Sequence, residues 1–236
     1  MRQIFLLIKE PILVLKSINF YRKLPEDIKT EFRKLRPNDL VIDIGANIGV
    51  ITWLFLWKKC HIIAIEPHPL AFQKLKGRFE SFENITMINS AISIEKNEFV
   101  KLFLHASSDK KPSKFTLGSS LRSDKPNVGN KFIEVPNLDP LSLLRKFERI
   151  RLLKIDIEGY EVELLPFLLR SGELAKVESI FVELHDMKWP TLSLESRLMI
   201  KEFEENQNHG QVFWNWPYYN KRRLIINLKA SARPKS

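Results

Sequence analysis

The chain has 236 residues, of which 44% are hydrophobic and 28% are charged, and its formal net charge is +10. A chain of this length fits one domain with a full core, and its composition excludes disordered, collagen-like and disulfide-built proteins. The one cysteine, Cys60, cannot form an intramolecular disulfide, which indicates a structural thiol in a reducing cytoplasm. The positive charge favours anionic partners without choosing among them.

The first 37 residues read as a separate helical segment, with apolar clusters interrupted by charged residues and by Pro11. No run approaches the ~20 apolar residues of a membrane span, and no signal-peptide cleavage site follows. We expect a pair of helices docked on the main domain, and a helix lying in the membrane interface is the alternative. The predicted location is therefore cytoplasmic, with peripheral membrane contact through this segment left open.

From residue 38 onward, short apolar runs alternate with helical patterns. The predicted strands lie at 40–44, 62–65, 85–88, 152–157 and 180–184, and the helices between them at 48–59, about 69–82, 141–147 and 160–170. Such alternation indicates a parallel sheet with right-handed crossovers. The predicted fold class is α/β: a Rossmann-like, doubly wound, mostly parallel sheet with helices on both faces. A C-terminal antiparallel pair at 212–216 and 224–228 closes this domain, which spans 38–228 and precedes a basic tail at 229–236.

Two further strands, at 100–104 and 132–135, flank a polar and basic segment at 105–131. A connection of this length is usually functional or disordered. We predict a loop that closes over an anionic or sugar-bearing substrate.

A glycine-containing turn, Asp43-Ile44-Gly45-Ala46-Asn47-Ile48-Gly49, follows the first strand. Gly45 permits a tight turn and the close approach of a ligand, and the next helix presents unpaired N–H groups there. Glu66 ends the second strand, where a carboxylate can accept hydrogen bonds from both ribose hydroxyls. Together these residues predict a nucleoside site.

The order of residues in this turn favours S-adenosylmethionine over a dinucleotide. A dinucleotide fingerprint has the order G-x-G-x-x-G, whereas this turn has D-x-G-x-N-x-G. Asp43 would repel a pyrophosphate, but it could hold the methionine ammonium group of S-adenosylmethionine.

Seven segments carry a resemblance to a known family: VIDIGANIG (41–49), IEPHP (65–69), NSAIS (89–93), GSSL (118–121), LDPL (138–141), LKIDIEGYEVELL (153–165) and FVELH (181–185). With them the chain resembles the FkbM-type family of class I S-adenosylmethionine-dependent methyltransferases. The resemblance implies methyl transfer to hydroxyls of sugars, lipid-linked glycans or polyketide-type products. It covers residues 38 to 186 and leaves both ends of the chain without a match.

The same resemblance implies a set of cofactor-binding residues. The methionine end would be lined by Asp43, Gly45, Asn47 and Gly49. The ribose would bind at Glu66, with Pro67 in the same turn, and the adenine at Asn89, Ser90 and Ala91. The alternative for Asn89 and Ser90 is a strand-end turn that satisfies its own backbone.

Four ionisable residues alternate with apolar ones on two predicted strands: Asp156 and Glu158, and Glu183 and His185. If these strands are neighbours, the four side chains converge at the carboxyl edge of the sheet, where such folds bind ligands. We predict His185 as the base that removes the acceptor's proton, oriented by Glu183 or Asp156, with Glu158 binding the acceptor hydroxyl. A divalent cation held by the same groups is the alternative, although no metal belongs to the predicted site. A helix-capping role for Glu158 also stays open.

The predicted function is O-methylation of a sugar, a glycan or another hydroxyl-bearing small molecule. Two alternatives remain: an RNA methyltransferase, suggested by net charge and the basic segment, and a nucleotide-binding protein without catalysis. No RNA-binding module is recognisable, so a nucleic-acid partner is disfavoured. The tetrapeptide Asn215-Trp216-Pro217-Tyr218 only partly matches the N/D-P-P-Y motif of amino-methyltransferases, and it predicts a turn with packed aromatic rings.

Overall fold

The computed structural model describes residues 9–108, 118–186 and 189–216. In chain order the elements of this part are α1 (Pro11–Lys23), α2 (Glu26–Lys34), β1 (Leu40–Ile44), α3 (Val50–Trp57), β2 (His61–Ile65), α4 (Pro69–Phe79), β3 (Ile85–Ile88), β4 (Ala91–Ile92), β5 (Phe99–His105), β6 (Val128–Leu138), α5 (Pro140–Leu144), β7 (Ile150–Ile155), α6 (Glu161–Arg170), a 3₁₀ helix (Glu173–Lys176), β8 (Val177–Glu183), α7 (Pro190–Glu205) and β9 (Gln211–Trp216).

Six strands form one parallel sheet in the order β3-β2-β1-β7-β8-β9. This sheet, with helices on both faces, confirms the predicted α/β class. The strand order reverses between β1 and β7, and in such sheets ligands bind beyond the carboxyl ends of the strands at this point.

The end of the sheet contains β9, the first strand of the predicted closing pair, and its antiparallel pairing with 224–228 stays a prediction. Strand β9 pairs in parallel with β8, with Val212 opposite Ile180. The reason is the long helix α7, which carries the chain back along the sheet before β9 begins. The second predicted strand, 224–228, lies outside the described residues.

The two faces of the central strands belong to different parts of the core. Val41, Leu152 and Phe181 pack with residues of α1 to α4. The residues that follow or precede them, Ile42, Leu153 and Ile180, pack with residues of α5 to α7. Burial on both faces explains why these strands read as continuous apolar runs.

The two N-terminal helices pack against this domain. Leu13 and Val14 of α1 are buried, and the hydroxyl of Ser17 donates a hydrogen bond to the carbonyl of Val50 at 2.7 Å. Phe32 of α2 stacks on Phe55 with 5.2 Å between ring centroids. No helix among the described residues combines the length and the apolar character needed to cross a membrane.

A second sheet has the order β4-β6-β5. Strand β6 begins at Val128, inside the segment that the sequence predicts as a loop, and pairs antiparallel with β5. Ser120 also bridges Phe103, through two backbone hydrogen bonds of 2.8 and 3.0 Å. The predicted loop is therefore partly a strand. Its polar residues Asn130 and Lys131 are exposed in β6, so this part of the strand carries no apolar pattern. Residues 109–117 of the predicted loop lie outside the described residues.

Candidate functional site

The turn after β1 is shaped by Gly45, whose φ of +77° is a conformation that favours glycine. A β-carbon at this position would lie 1.8 Å from the carbonyl oxygen of Asp156, so only glycine lets the two backbones approach. Gly49 has a φ of +88°, and a β-carbon there would lie 2.2 Å from the ring of Phe79. Gly45 thus brings the turn against the end of β7, whereas Gly49 seats α3 against α4.

Glu66 at the end of β2 is buried and is bonded to this turn. Its carboxylate accepts hydrogen bonds from the backbone N–H groups of Asn47 at 2.8 Å and His68 at 2.9 Å. Burial raises the pKa of Glu66 to about 7, although these two hydrogen bonds oppose the rise. Its ionisation is therefore poised near neutral pH.

An open cleft with about 660 Å³ of space lies at the carboxyl ends of β1, β2 and β7. Eight of the predicted site residues line it: Gly45, Asn47, Glu66, Pro67, Ser90 and Ala91 of the predicted cofactor site, and Asp156 and Glu158 of the predicted catalytic site. The predicted nucleoside and catalytic residues therefore meet in one space.

Asp43 and Asn89 lie beside the cleft and are not among the residues that line it. Asp43 is fully buried, accepts a hydrogen bond from the hydroxyl of Thr52 at 2.7 Å, and has an oxygen 3.1 Å from Lys154 Nζ. The Asn89 amide donates to the carbonyls of Glu66 and Pro67. Asn89 therefore braces the turn after β2, in line with the alternative that it satisfies local backbone.

Lys154 links the glycine turn to the acidic end of the cleft, and the sequence analysis missed it. Its ammonium group donates to the Gly45 carbonyl at 2.7 Å and lies 3.3 Å from a carboxylate oxygen of Asp156. Burial alone would lower the pKa of Lys154, but Asp43 and Asp156 raise it above its usual value, so this lysine is a cation. The available signal was the alternation of Lys154 with Asp156 along the strand.

The four predicted catalytic residues converge around the imidazole of His185. Its Nε2 lies 3.4 Å from a carboxylate oxygen of Glu158, 3.6 Å from one of Asp156 and 4.0 Å from one of Glu183. Its Nδ1 lies 3.1 Å from Glu161. The parallel pairing of β7 with β8 accounts for this convergence, because it places both strand ends at one edge.

Glu161 is the second residue that the sequence analysis missed. Its buried carboxylate accepts hydrogen bonds from the backbone N–H groups of Ile157 at 2.9 Å and Gly159 at 2.8 Å. It therefore fixes the tight turn between β7 and α6 and orients His185 at the same time. An acid at the first residue of a helix is usually a cap, and sequence alone does not separate that role from this one.

The surrounding carboxylates change the protonation of two groups. Burial lowers the pKa of His185, but Glu161, Glu158 and Asp156 outweigh it and raise the pKa to about 10. Burial, with Asp156 nearby, raises the pKa of Glu183 to about 8. The imidazole is a cation at neutral pH, so a proton must leave Nε2 before the ring can act as the predicted base.

Glu158 is held by the segment that precedes β6. Its carboxylate accepts a hydrogen bond from the Gly118 N–H at 3.0 Å and is paired with Lys125, while its carbonyl accepts one from the Ser120 hydroxyl at 2.8 Å. These contacts argue against the capping role for Glu158. Its side chain points toward this segment, and the carboxylate that bonds the turn before α6 is that of Glu161. Closure of the segment over an acceptor stays a prediction.

The aromatic tetrapeptide lies on a different part of the sheet. Trp216 is buried in β9 and stacks on Phe181 with 4.9 Å between ring centroids. The residues after it, Pro217 and Tyr218, lie outside the described residues.

Fold and site together define a Rossmann-like α/β domain with a cleft that joins the glycine turn to an ionisable cluster. A family model described as the methyltransferase FkbM domain matches residues 43–212 of this chain. The match covers well over half of the sequence, and the chain belongs to the FkbM methyltransferase family. Membership implies S-adenosylmethionine as the methyl donor.

A shorter similarity connects the chain to proteins of three Methanosarcina species. The probable ribosomal RNA small subunit methyltransferase A of Methanosarcina barkeri is 37% identical over 70 residues, which are 29% of this chain and 24% of that protein. The proteins of the same name from Methanosarcina mazei and Methanosarcina acetivorans are 36% and 34% identical over 70 residues, again 29% of this chain and 26% of theirs. The matched segment spans about a quarter of each of these relatives.

Proposed function

We propose that this methyltransferase transfers the methyl group of S-adenosylmethionine to a hydroxyl of a sugar, a glycan or another small molecule. The observation that carries the proposal is the single cleft that joins Glu66 and the glycine turn to Asp156 and Glu158. A donor bound at one end of this cleft has its methyl group within reach of an acceptor at the other. Proximity of this kind supplies much of the rate of a transfer reaction.

In this proposal the ribose hydroxyls donate to Glu66, whose carboxylate has acceptor capacity beyond its two backbone hydrogen bonds. Ser90 and Ala91 border the adenine, and Gly45 and Asn47 border the methionine group. Asp43 contributes as a positioning residue, because it faces Lys154, which bonds the Gly45 carbonyl.

The acceptor hydroxyl binds against Asp156 and Glu158, and its oxygen attacks the methyl carbon in line with the carbon–sulfur bond. As the carbon–oxygen bond forms, the carbon–sulfur bond breaks and its electron pair returns to sulfur, which becomes a neutral thioether. The hydroxyl proton passes to the cluster around His185 and then to water. A proton acceptor in the right position contributes about 10²–10⁴-fold to such a rate.

The affinity for S-adenosylhomocysteine should fall as the pH drops below about 7. Ribose hydroxyls donate to the ionised form of Glu66, and burial raises the pKa of this carboxyl to about 7, so acidification removes the acceptor that the ribose needs. Calorimetric titrations at pH 6 and pH 8 measure this difference. In Glu66→Gln, which has no carboxylate at this position, the dependence should be flat. An equal slope in both proteins would assign it to another group.

The acceptor class can be tested by labelling. The parent protein and Asp156→Asn are incubated with S-adenosylmethionine carrying a labelled methyl group and with a cell extract, which is then separated into RNA, glycan and small-molecule fractions. We expect label from the parent in the glycan or small-molecule fraction, resistant to ribonuclease, and at least tenfold less from the variant. Label that ribonuclease releases as nucleotides would contradict the proposal.

A second candidate function is methylation of RNA. It is favoured by the similarity to ribosomal RNA methyltransferases over 70 residues and by the net charge of +10. Binding to phosphates predicts an affinity for RNA that falls steeply with salt concentration. The ribonuclease-sensitive fraction of the labelling experiment separates this candidate from the first.

A further inference from the structure

One of the two ring nitrogens of His185 lies near several carboxylates but forms no hydrogen bond with them. His185 Nδ1 is engaged by Glu161, whereas Nε2 faces Asp156, Glu158 and Glu183 at 3.4–4.0 Å and forms no hydrogen bond with a described residue. We propose that this gap is a divalent-cation site, with Nε2 of His185 and the carboxylates of Asp156 and Glu183 as ligands and with Glu161 as the residue that orients the imidazole.

The spacing of the donor atoms fits a cation better than direct contact. Metal–ligand bonds of about 2.0–2.2 Å leave neighbouring ligand atoms about 3–3.6 Å apart, and opposite ones farther. Nε2 of His185 lies 3.6 Å from an oxygen of Asp156 and 4.0 Å from an oxygen of Glu183. The separations from Nε2 are therefore those of ligands around one ion.

The arrangement of Glu161 is that of a supporting residue at a metal centre. A histidine that binds a metal through one nitrogen usually donates its other N–H to a carboxylate, which fixes the tautomer and the ring orientation. Glu161 occupies this place, 3.1 Å from Nδ1, and is itself held by two backbone N–H groups. The imidazole is thus turned with Nε2 toward the remaining carboxylates.

Among the described residues, the carboxylates around His185 outnumber the cations that contact them. Lys154 is shared between Asp43 and Asp156, and Lys125 pairs with Glu158. Lys154 also acts on Glu183, and the protonated imidazole of His185 is the cation beside Glu161. A divalent ion at Nε2 would take the place of the ring proton and bring a second positive charge to carboxylates whose burial makes their own charge costly.

One imidazole and two carboxylates form a mixed donor set that suits a first-row divalent ion such as Mn²⁺. Glu158 stays paired with Lys125. The chemical role of the ion rests on the proposed function: bound beside Asp156 in the cleft, it would polarise the acceptor hydroxyl and ease the loss of its proton. The binding site itself does not depend on that role.

The test uses Mn²⁺ alone, titrated into the chelator-treated full-length protein and followed by electron paramagnetic resonance. We expect one bound ion per chain in the parent. Affinity should fall at least tenfold in Glu183→Gln, and about 10–100-fold in Glu161→Gln, which removes only the orienting carboxylate. Glu98→Gln, which removes an exposed carboxylate just before β5, should bind as the parent does. Circular dichroism verifies that each variant is folded.

Two results would overturn the site: a folded parent that binds no Mn²⁺, or a folded Glu183→Gln variant that binds it as tightly as the parent. Calorimetry with S-adenosylhomocysteine on the same samples keeps the two proposals apart. Cofactor binding without Mn²⁺ binding refutes the cation site alone, whereas Mn²⁺ binding without cofactor binding refutes the proposed function alone.

Discussion

Replacing Gly45 by alanine should destabilise the protein by at least about 3 kcal/mol and abolish binding of S-adenosylhomocysteine. The left-handed backbone costs a residue with a β-carbon about 1–2 kcal/mol. The new atom would also lie 1.8 Å from the carbonyl oxygen of Asp156, and both are held by backbone, so the turn must move. For a chain of this length, the change corresponds to a melting temperature lower by about 6–12 °C.

Gly77 provides the matched control for this substitution. It lies in α4, where a β-carbon would meet no atom within 4 Å. Gly77→Ala should leave cofactor binding unchanged and raise stability by about 0.5–1 kcal/mol, since alanine favours the helix. If Gly45→Ala melts and binds as the control does, the contact between the glycine turn and β7 does not shape the cofactor site.

Replacing His185 by alanine should lower kcat by about 10²–10⁴-fold and leave the Kd of S-adenosylhomocysteine nearly unchanged. The imidazole lies in the acidic cluster, whereas the cofactor contacts proposed above lie at Glu66 and the glycine turn. The substitution therefore removes an interaction of the transition state and leaves the binding of the donor intact. Initial rates and calorimetry on the same preparation separate the two quantities.

His61 serves as the control for this change, because it is exposed at the opposite, amino-terminal end of a strand of the same sheet. His61→Ala should retain the parent's kcat. Full activity of His185→Ala would show that the cluster is structural and that catalysis depends on positioning alone.

The strands that build the cleft could be predicted from local sequence. The run 40–44 is a strand with the predicted bounds, as is 85–88, because both are short apolar stretches between turn residues. The convergence of Asp156 with His185 followed from alternation along the strands and from a parallel sheet. Both inferences use only the pattern of apolar and polar residues along each strand and the direction of neighbouring strands.

Features that depend on distant contacts could not be predicted in the same way. The Asp43 carboxylate is predicted to meet the cofactor, yet it faces Lys154, more than one hundred residues later in the chain. The start of β6 is polar on both sides and carries no strand signal, although β5 pairs with it. The orienting role of Glu161 depends on how His185 arrives from the neighbouring strand.

The central claim is that Glu66 and the glycine turn bind the nucleoside of S-adenosylmethionine, and calorimetric titration tests it most directly. S-adenosylhomocysteine and NAD are each titrated into the parent and into Glu66→Ala, with circular dichroism to verify the fold. Loss of hydrogen bonds to a charged group costs about 1.5–3 kcal/mol, which is about 10–100-fold in Kd. We expect the parent to bind S-adenosylhomocysteine and not NAD, and Glu66→Ala to bind it about 10–100-fold more weakly. Tight binding of NAD, or equal affinity of the folded variant and the parent, would contradict the assignment.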